Sequence, residues 1–300
     1  MPSRRAAALI LAFWIATTAY VGYRDLWPRY FGSGPPAVGI DLADEAMRRV
    51  PVVWNVKWNG NPAGRLRTQM TYEGSDDTFW FTSQYRTERD ADGRERSLRV
   101  ELAGASVSVP DFKTAVRVTR GGDLREQTAE GTLKVEVGGL TLGTASAKLA
   151  GTVTDGQLLA TFEGGFDGAG HADKTRRTFA PVPVPKGQPL NPLQPVNRLV
   201  GVRPGRQWVV HESNPLNDVV LALASEFGVP PQKTPDPLVG RVPSGTTEVE
   251  WNRESVACHV IEYRRAGELE VRTWVRADDG RVLRQEAYSK GDTLTLERDE

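Results

Sequence analysis

Few residues in this chain have the types and spacing that catalysis requires. Cys258 and His259 are adjacent in a predicted strand, so their side chains point to opposite faces and cannot form a nucleophile–base pair. His211 and Glu212 are adjacent in the same way. The third histidine, His171, stands in a glycine-rich stretch that is predicted to be a loop. We therefore predict no catalytic residues and a protein that is not an enzyme.

The motifs that would hold a phosphate or a metal ion are incomplete. Residues 164–170 are rich in glycine, but the strand-to-helix context of a phosphate-binding loop is missing. Asp90, Asp92 and Glu95 resemble a fragment of a calcium loop, but arginines interleave them, and an ordinary hairpin turn is predicted. One cysteine cannot build a zinc site that needs several. We predict neither a metal site nor a cofactor.

Tryptophan is the remaining residue type that could form a binding site. The candidate ligand-binding residues, all in predicted strands, are Trp54, Trp58, Trp80 and Trp274. In a half-open barrel they would line an apolar cavity for a lipid-like ligand. The alternative is that they fill the core of the sheet. Trp274 shares its strand face with Arg272 and Arg276, so it is either exposed or covered by a neighbouring element.

The elements that would position these side chains are predicted to be β-strands. Between residues 248 and 298, five short strands are separated by turns of about three or four residues, which can join only antiparallel neighbours. Residues 52–58 alternate in the manner of a strand, and a turn at 59–62 makes them half of a hairpin. We predict a mainly β fold, a large curved antiparallel sheet with one or two short helices, at 42–49 and 215–227.

The amino terminus predicts contact with a membrane. Arg4 and Arg5 precede an uncharged, largely apolar run over residues 6–23. We predict that residues 1–23 form a signal anchor that crosses the cytoplasmic membrane once, with the body outside. The alternative is a signal that is cleaved after Ala19, so that the body is exported. Both alternatives place the protein in the cell envelope.

The rest of the chain is predicted to be one domain on a tether. Residues 24–49 would form the tether and a short helix, and residues 50–300 a single β domain. Within that domain, a proline-rich segment at 181–200 separates a first half at 50–180 from a second half at 201–300. This segment is either a linker or an extended strap across the sheet, and its apolar residues favour the strap.

The charge of the chain bounds its partners. Thirty-eight basic and 38 acidic residues give no formal net charge. Nucleic-acid binding usually needs a strong excess of basic residues. We therefore predict no nucleic-acid partner.

Three stretches carry a resemblance to a known class of proteins. NVKWNGNPAG at 55–64, GVRPGRQW at 201–208 and the segments RTWV and DGRVLR after residue 271 resemble a bacterial envelope family of uncharacterised function. That family is similar in fold to the lipoprotein carriers and receptors of the LolA and LolB kind. The resemblance implies an incomplete barrel, a curved sheet with helices on its concave side. No cysteine follows the apolar run at the amino terminus, so a lipid anchor of the lipoprotein type is not expected.

Two functions of different classes are consistent with the sequence. The first is a membrane-anchored, non-enzymatic envelope protein whose half-barrel holds a hydrophobic ligand, either a lipid or an acylated protein. The second is a structural platform for another envelope protein, with no ligand. An aromatic-lined cavity favours the first, whereas a filled core with an exposed apolar patch favours the second.

The anchor makes a prediction about topology. A reporter enzyme that is active only outside the cytoplasm should be active when it is fused after residue 300, because Arg4 and Arg5 hold the amino end inside. The full-length chain should remain in the membrane fraction after an alkaline wash. Soluble protein that lacks its first 19 residues would show a cleaved signal instead.

Overall fold

The structure is a computed structural model that describes residues 40–48, 50–89, 92–93, 95–102, 105–137, 140–168, 171–184, 194–210, 236–289 and 291–299. The predicted membrane helix, most of the predicted tether and the predicted helix at 215–227 lie outside these residues. Within them, no helix has both the length and the apolar character needed to span a membrane.

The described part of the chain is almost entirely β-structure, with one short helix. That helix is α1 (Leu42–Met47), which Asp41 caps through side-chain bonds to the N–H groups of Ala43 and Asp44. The strands, in chain order, are β1 (Val52–Trp58), β2 (Asn61–Glu73), β3 (Thr78–Arg86), β4 (Glu88–Arg89), β5 (Glu95–Arg96), β6 (Leu98–Leu102), β7 (Ala105–Thr119), β8 (Leu124–Val137), β9 (Leu140–Thr154), β10 (Gln157–Gly168), β11 (His171–Thr178), β12 (Val182–Pro183), β13 (Gln207–Val210), β14 (Leu238–Arg241), β15 (Thr247–Trp251), β16 (Glu254–Arg265), β17 (Glu268–Arg276), β18 (Val282–Ser289) and β19 (Asp292–Arg298).

Seventeen of these strands form one antiparallel sheet, and β4 and β5 form a separate pair. In space, the sheet runs from β13 and β14 through β16, β17, β18, β19, β1, β2, β3, β7, β8 and β9 to β10. The remaining strands pair with part of an edge that a second strand also uses. β14 and β15 pair with the same edge of β16, β3 and β6 with the same edge of β7, and β11 and β12 with the same edge of β10. The predicted mainly β fold with a large antiparallel sheet is confirmed.

The first and last strands of the sheet in chain order pair with each other. β1 hydrogen-bonds to β19 from Trp54, opposite Arg298, to Trp58, opposite Leu294. Its other edge pairs with β2. Strands from before and after the proline-rich segment are therefore direct neighbours in one sheet.

Several strands are longer than the sequence pattern indicates. β7 and β9 contain 15 residues each and β8 contains 14, although most strands are predicted to be shorter. Pro110 does not end β7. A register shift between Ser108 and Asp111 leaves Pro110 without a partner in β8, so no hydrogen bond to that strand depends on its missing N–H. The prediction that His171 lies in a loop is wrong. Gly164 lies within β10, and His171 begins β11. Glycine has both the N–H and the C=O group that pair neighbouring strands, so these glycines do not interrupt the sheet.

One face of the sheet carries the main hydrophobic core, and we call it the core face. Val52, Trp54 and Val56 lie on it in β1. The same cluster contains Phe79 and Val118 from the first half, and Tyr263 and Val275 from the second. The opposite side is called the outer face. Because directly paired residues share a face, the strand registers assign the other side chains to one face or the other.

The described parts of the proline-rich segment pack against the sheet. Val182 and Val184 contact a small apolar cluster around Leu158. Val196 and Leu199 are buried in the main core. These contacts fit the strap alternative, whereas a solvated linker would leave such residues exposed.

A buried polar cluster joins α1 to the last strand. The carboxylate of Glu45 accepts hydrogen bonds from the backbone N–H of Asn197 at 3.3 Å and from its side-chain amide at 3.1 Å. Arg48 donates to the side-chain oxygen of Asn197 at 3.0 Å, and Arg298 donates to its backbone carbonyl at 3.2 Å. Burial raises the pKa of Glu45 above its usual value and lowers the pKa of Arg298 to about 10. The partners offset only part of the cost of burying these charges, but their hydrogen bonds join α1 to the 197 segment.

Candidate functional site

Two of the four candidate tryptophans lie on the core face. Trp54 has no exposed surface, and its indole N–H donates to the hydroxyl of Thr68 at 3.1 Å. Trp58, four residues later, is partly buried and packs against the same core. The position of Trp54 is that of a residue that fills a core, since its ring is enclosed and its polar atom has a partner.

The other two tryptophans lie on the outer face. Trp80 stands directly opposite Arg117, whose guanidinium carbon lies 5.5 Å from the centre of the ring. Trp274 is only 8% exposed, and the guanidinium groups of Arg272 and Arg284 lie 5.7 and 5.2 Å from its ring. Of the two alternatives for Trp274, the covered one is observed. Cation–π contacts of this kind stabilise an aromatic ring on a polar face.

The four tryptophans do not meet in one cavity, because two lie on each face of the sheet. Trp274 borders a pocket of about 290 Å³ together with Glu262 and Arg272. A ligand-binding role for Trp54, Trp58, Trp80 or Trp274 stays a prediction.

The core face continues past the main core at one end of the long strands. Five large apolar side chains there remain exposed, and we call them the distal apolar face: Phe112, Leu133, Val137, Leu140 and Phe166. Leu140 is 73% exposed and the other four are 37–42% exposed. These exposures correspond to roughly 450 Å² of apolar surface, which is the size of the largest apolar patch on a typical monomeric protein, a patch that is often functional.

The strand registers place these five residues on one face. Phe112 lies four residues before the core residue Val116 in β7, so the two side chains point to the same face of the sheet. Its partner in β8 is Gly131, from which Leu133 and Val137 follow at even spacing. Val137 pairs with Leu140.

Phe166 joins the same face through β9. It pairs with Ala145, which in turn pairs with Leu133. Its ring also covers Gly143, where an added Cβ would lie 2.5 Å from the ring. A glycine opposite Val135 therefore makes room for the aromatic side chain.

The amino-acid pattern does not reveal this face. The alternation of Leu133, Val135 and Val137 with polar residues indicates a strand with one buried side. The same alternation would occur if the side were covered. The signal for exposure lies only in the way that the strands extend beyond the core.

The outer face of the same strands holds an open groove of about 900 Å³. It crosses β3, β7, β8, β9, β10 and β11, which is about 24 Å at the usual distance between strands. Its floor is a row of small side chains in register, Thr132, Ser146 and Gly165. Arg86 and Asp111 lie at one end of this row, and Lys174 lies at the other.

A ladder of alternating charges forms one side of the groove. In consecutive strands from β7 to β11, the paired residues are Lys113, Glu130, Lys148, Glu163 and Arg176. Lys113 lies 3.5 Å from Glu130, and Arg176 lies 3.4 Å from Glu163. All five side chains are exposed, so solvent screens these ion pairs and they add little to stability.

The described residues do not assemble a metal site on either face. No group of three or more histidine, cysteine, aspartate or glutamate side chains there could hold a metal ion. Cys258 is fully buried in an apolar cluster with Trp274 and Leu283, and burial raises the pKa of its thiol to about 11. A thiol in this environment stays protonated and unreactive at neutral pH.

Comparison of this chain with protein-family models, with curated proteins and with solved structures finds no match. The resemblance to the envelope family therefore stays a prediction.

The contrast between Trp54 and Trp80 is testable by mutation. Trp54→Ala should lower the free energy of unfolding by about 3–5 kcal/mol, because it leaves a large cavity in the core. Trp80→Ala should lower the free energy of unfolding by less than this. It loses the cation–π contact with Arg117, which is worth about 1 kcal/mol, and the contacts of a partly exposed ring. Urea unfolding followed by circular dichroism gives both numbers. An unchanged unfolding midpoint for Trp54→Ala, together with lost binding of a fatty acid, would mean that Trp54 lines a ligand cavity.

Proposed function

We propose that this chain is a non-enzymatic interaction module of the cell envelope, tethered to the cytoplasmic membrane by its amino terminus. A partner protein docks on its distal apolar face. The observation that carries the proposal is the contrast between a filled core and an exposed apolar patch on the same face of the sheet. Trp54 and its neighbours fill the core, whereas Leu140 and Phe166 face solvent. Exposed patches of this size commonly mark interaction sites.

The size of the patch favours a protein as the occupant. A standard interface buries about 800 Å² on each partner, of which an apolar centre of roughly 450 Å² is an ordinary share.

The sheet is proposed to curve into an incomplete barrel of the lipoprotein-carrier kind. Two observations support this curvature. Strands that are far apart in the order of the sheet contribute to one core cluster, as Val118 of β7 and Tyr263 of β16 do. Leu42 of α1 and Val196 pack against the same cluster, in the position of elements that close a concave side.

A second candidate is the carrier of a hydrophobic ligand or an acylated partner. The observation that favours it is the continuity of the apolar strip, since Leu98 and Val109 pack against the main core and lead to Phe112 and Leu133. A carrier of this kind would hold its acyl chain on the distal apolar face rather than between the four tryptophans. Membrane tethering is supported in both cases by the apolar run at 6–23.

The docking face can be tested by crosslinking in cells. A photoreactive amino acid at position 140 should give one crosslinked protein, which should disappear when Phe166→Asp is added. Leu159 is a matched control, because it is 46% exposed on the outer face of the same sheet. The reactive group at position 159 should not capture this protein. The identified partner should bind the purified body, and Leu140→Asp should weaken that binding at least tenfold.

Three other outcomes would contradict a protein partner of this kind. A product with twice the mass of the chain would identify a second copy as the occupant. Capture of lipid alone, with saturable binding of a fatty acid by the body, would favour the carrier. Equal capture from positions 140 and 159 would show nonspecific contact. Leu140→Asp should keep the unfolding midpoint, since surface changes usually alter stability by about 0.5 kcal/mol or less. Circular dichroism should verify that the Phe166→Asp variant is folded, because the ring of Phe166 packs over Gly143.

A further inference from the structure

The groove on the outer face is separate from the distal apolar face and calls for a different ligand. Its lining includes charged side chains, of which more are basic than acidic. The basic lining residues are Arg86, Lys113, Lys148, Lys174 and Arg176, and the acidic ones are Asp111, Glu130 and Glu163. The lining therefore has a net positive charge, and the groove attracts anions.

The spacing of the cations selects among anionic ligands. Lys113, Lys148 and Arg176 stand on alternate strands in one row. Neighbouring strands lie about 4.8 Å apart, so these cations recur at about 9.5 Å. A ligand that fits must carry its negative charges at a similar distance along an extended chain. A linear glycan with one acidic sugar in each disaccharide has that spacing.

The groups between the cations also suit a glycan. Glu130 and Glu163 alternate with the cations, and carboxylates there would accept hydrogen bonds from sugar hydroxyls. A polymer with an anionic group on every unit would instead place charge beside these glutamates. Thr132 and Ser146 add hydroxyl groups on the floor, and the small side chains leave room for a ring.

Two other classes of extended polymer fit less well. Single-stranded nucleic acid is usually bound by aromatic side chains on which bases stack. The aromatic groove residues Tyr85 and Phe112 point to the core face, away from the groove. An extended peptide usually adds to the edge of a sheet, whereas this groove crosses the face of one.

We propose that the outer-face groove is a binding site for an extended anionic glycan, with Lys113, Lys148 and Arg176 as the contacts to successive acidic sugars. The site is independent of the distal apolar face, since the two surfaces lie on opposite sides of the sheet. Binding depends on exposed charges, so it weakens as salt increases.

The test measures binding of a hyaluronate octasaccharide to the body of the protein by isothermal titration calorimetry at low salt. We expect saturable binding. The affinity should fall at least tenfold in the Lys148→Glu variant and by a smaller factor in the Lys148→Gln variant. Arg241→Glu is the matched control, because Arg241 is exposed in β14, outside the groove. This variant makes the same change in charge and should keep the affinity of the unmodified chain. Circular dichroism and the unfolding midpoint verify that each variant is folded.

Three probes identify the ligand class. The octasaccharide with its carboxylates reduced to alcohols should bind at least tenfold more weakly. Oligoglutamate of equal charge should also bind more weakly, and inorganic phosphate should not compete at millimolar concentration. Absence of octasaccharide binding, or equal loss with Lys148→Glu and Arg241→Glu, would overturn the site. Tighter binding of oligoglutamate would overturn the glycan class in favour of an acidic peptide. The Lys148 variants leave the distal apolar face intact, so loss of glycan binding and loss of partner docking can be distinguished.

Discussion

The pairing of β1 with β19 is the contact on which the rest of the structure depends. These strands belong to opposite ends of the described chain, and their ladder places Trp54 opposite Arg298. Trp54 faces the main core, while Arg298 donates a hydrogen bond to the backbone of Asn197. The same contact therefore joins both halves of the sheet and anchors the segment that holds α1. Without it, each half would expose an open strand edge and half of a core.

Within this frame, the two faces of the long strands have different chemistry. The core face turns from a filled core into an exposed apolar patch at one end, whereas the outer face carries alternating charges along its whole width. Strand alternation makes this possible, because adjacent residues such as Phe112 and Lys113 serve opposite faces. One set of strands can thus carry a docking surface and a charged groove without competition between them.

The fold class could be predicted from the sequence because alternation and turn residues are local signals. The meander at the carboxyl end shows this, since short turns allow only antiparallel neighbours. Register shifts are not local signals, which is why Pro110 concealed the length of β7. The glycines near residue 165 concealed the length of β10 because glycine is typical of turns, although here it pairs without a shift. The surfaces could be predicted least. The sequence around a tryptophan in a strand does not distinguish a ring that fills a core, as Trp54 does, from one that lies under arginines, as Trp274 does.

We infer that the body is one cooperative unit closed by β1 and β19. Separate expression of residues 40–184 and 185–300, which together keep α1 and the whole proline-rich segment, tests this most directly, with unfolding of each fragment followed by circular dichroism and tryptophan fluorescence. We expect neither fragment to unfold cooperatively alone, and we expect a cooperative transition to return when the two are mixed, because the main core draws side chains from both. Two soluble fragments that each unfold cooperatively would contradict the account.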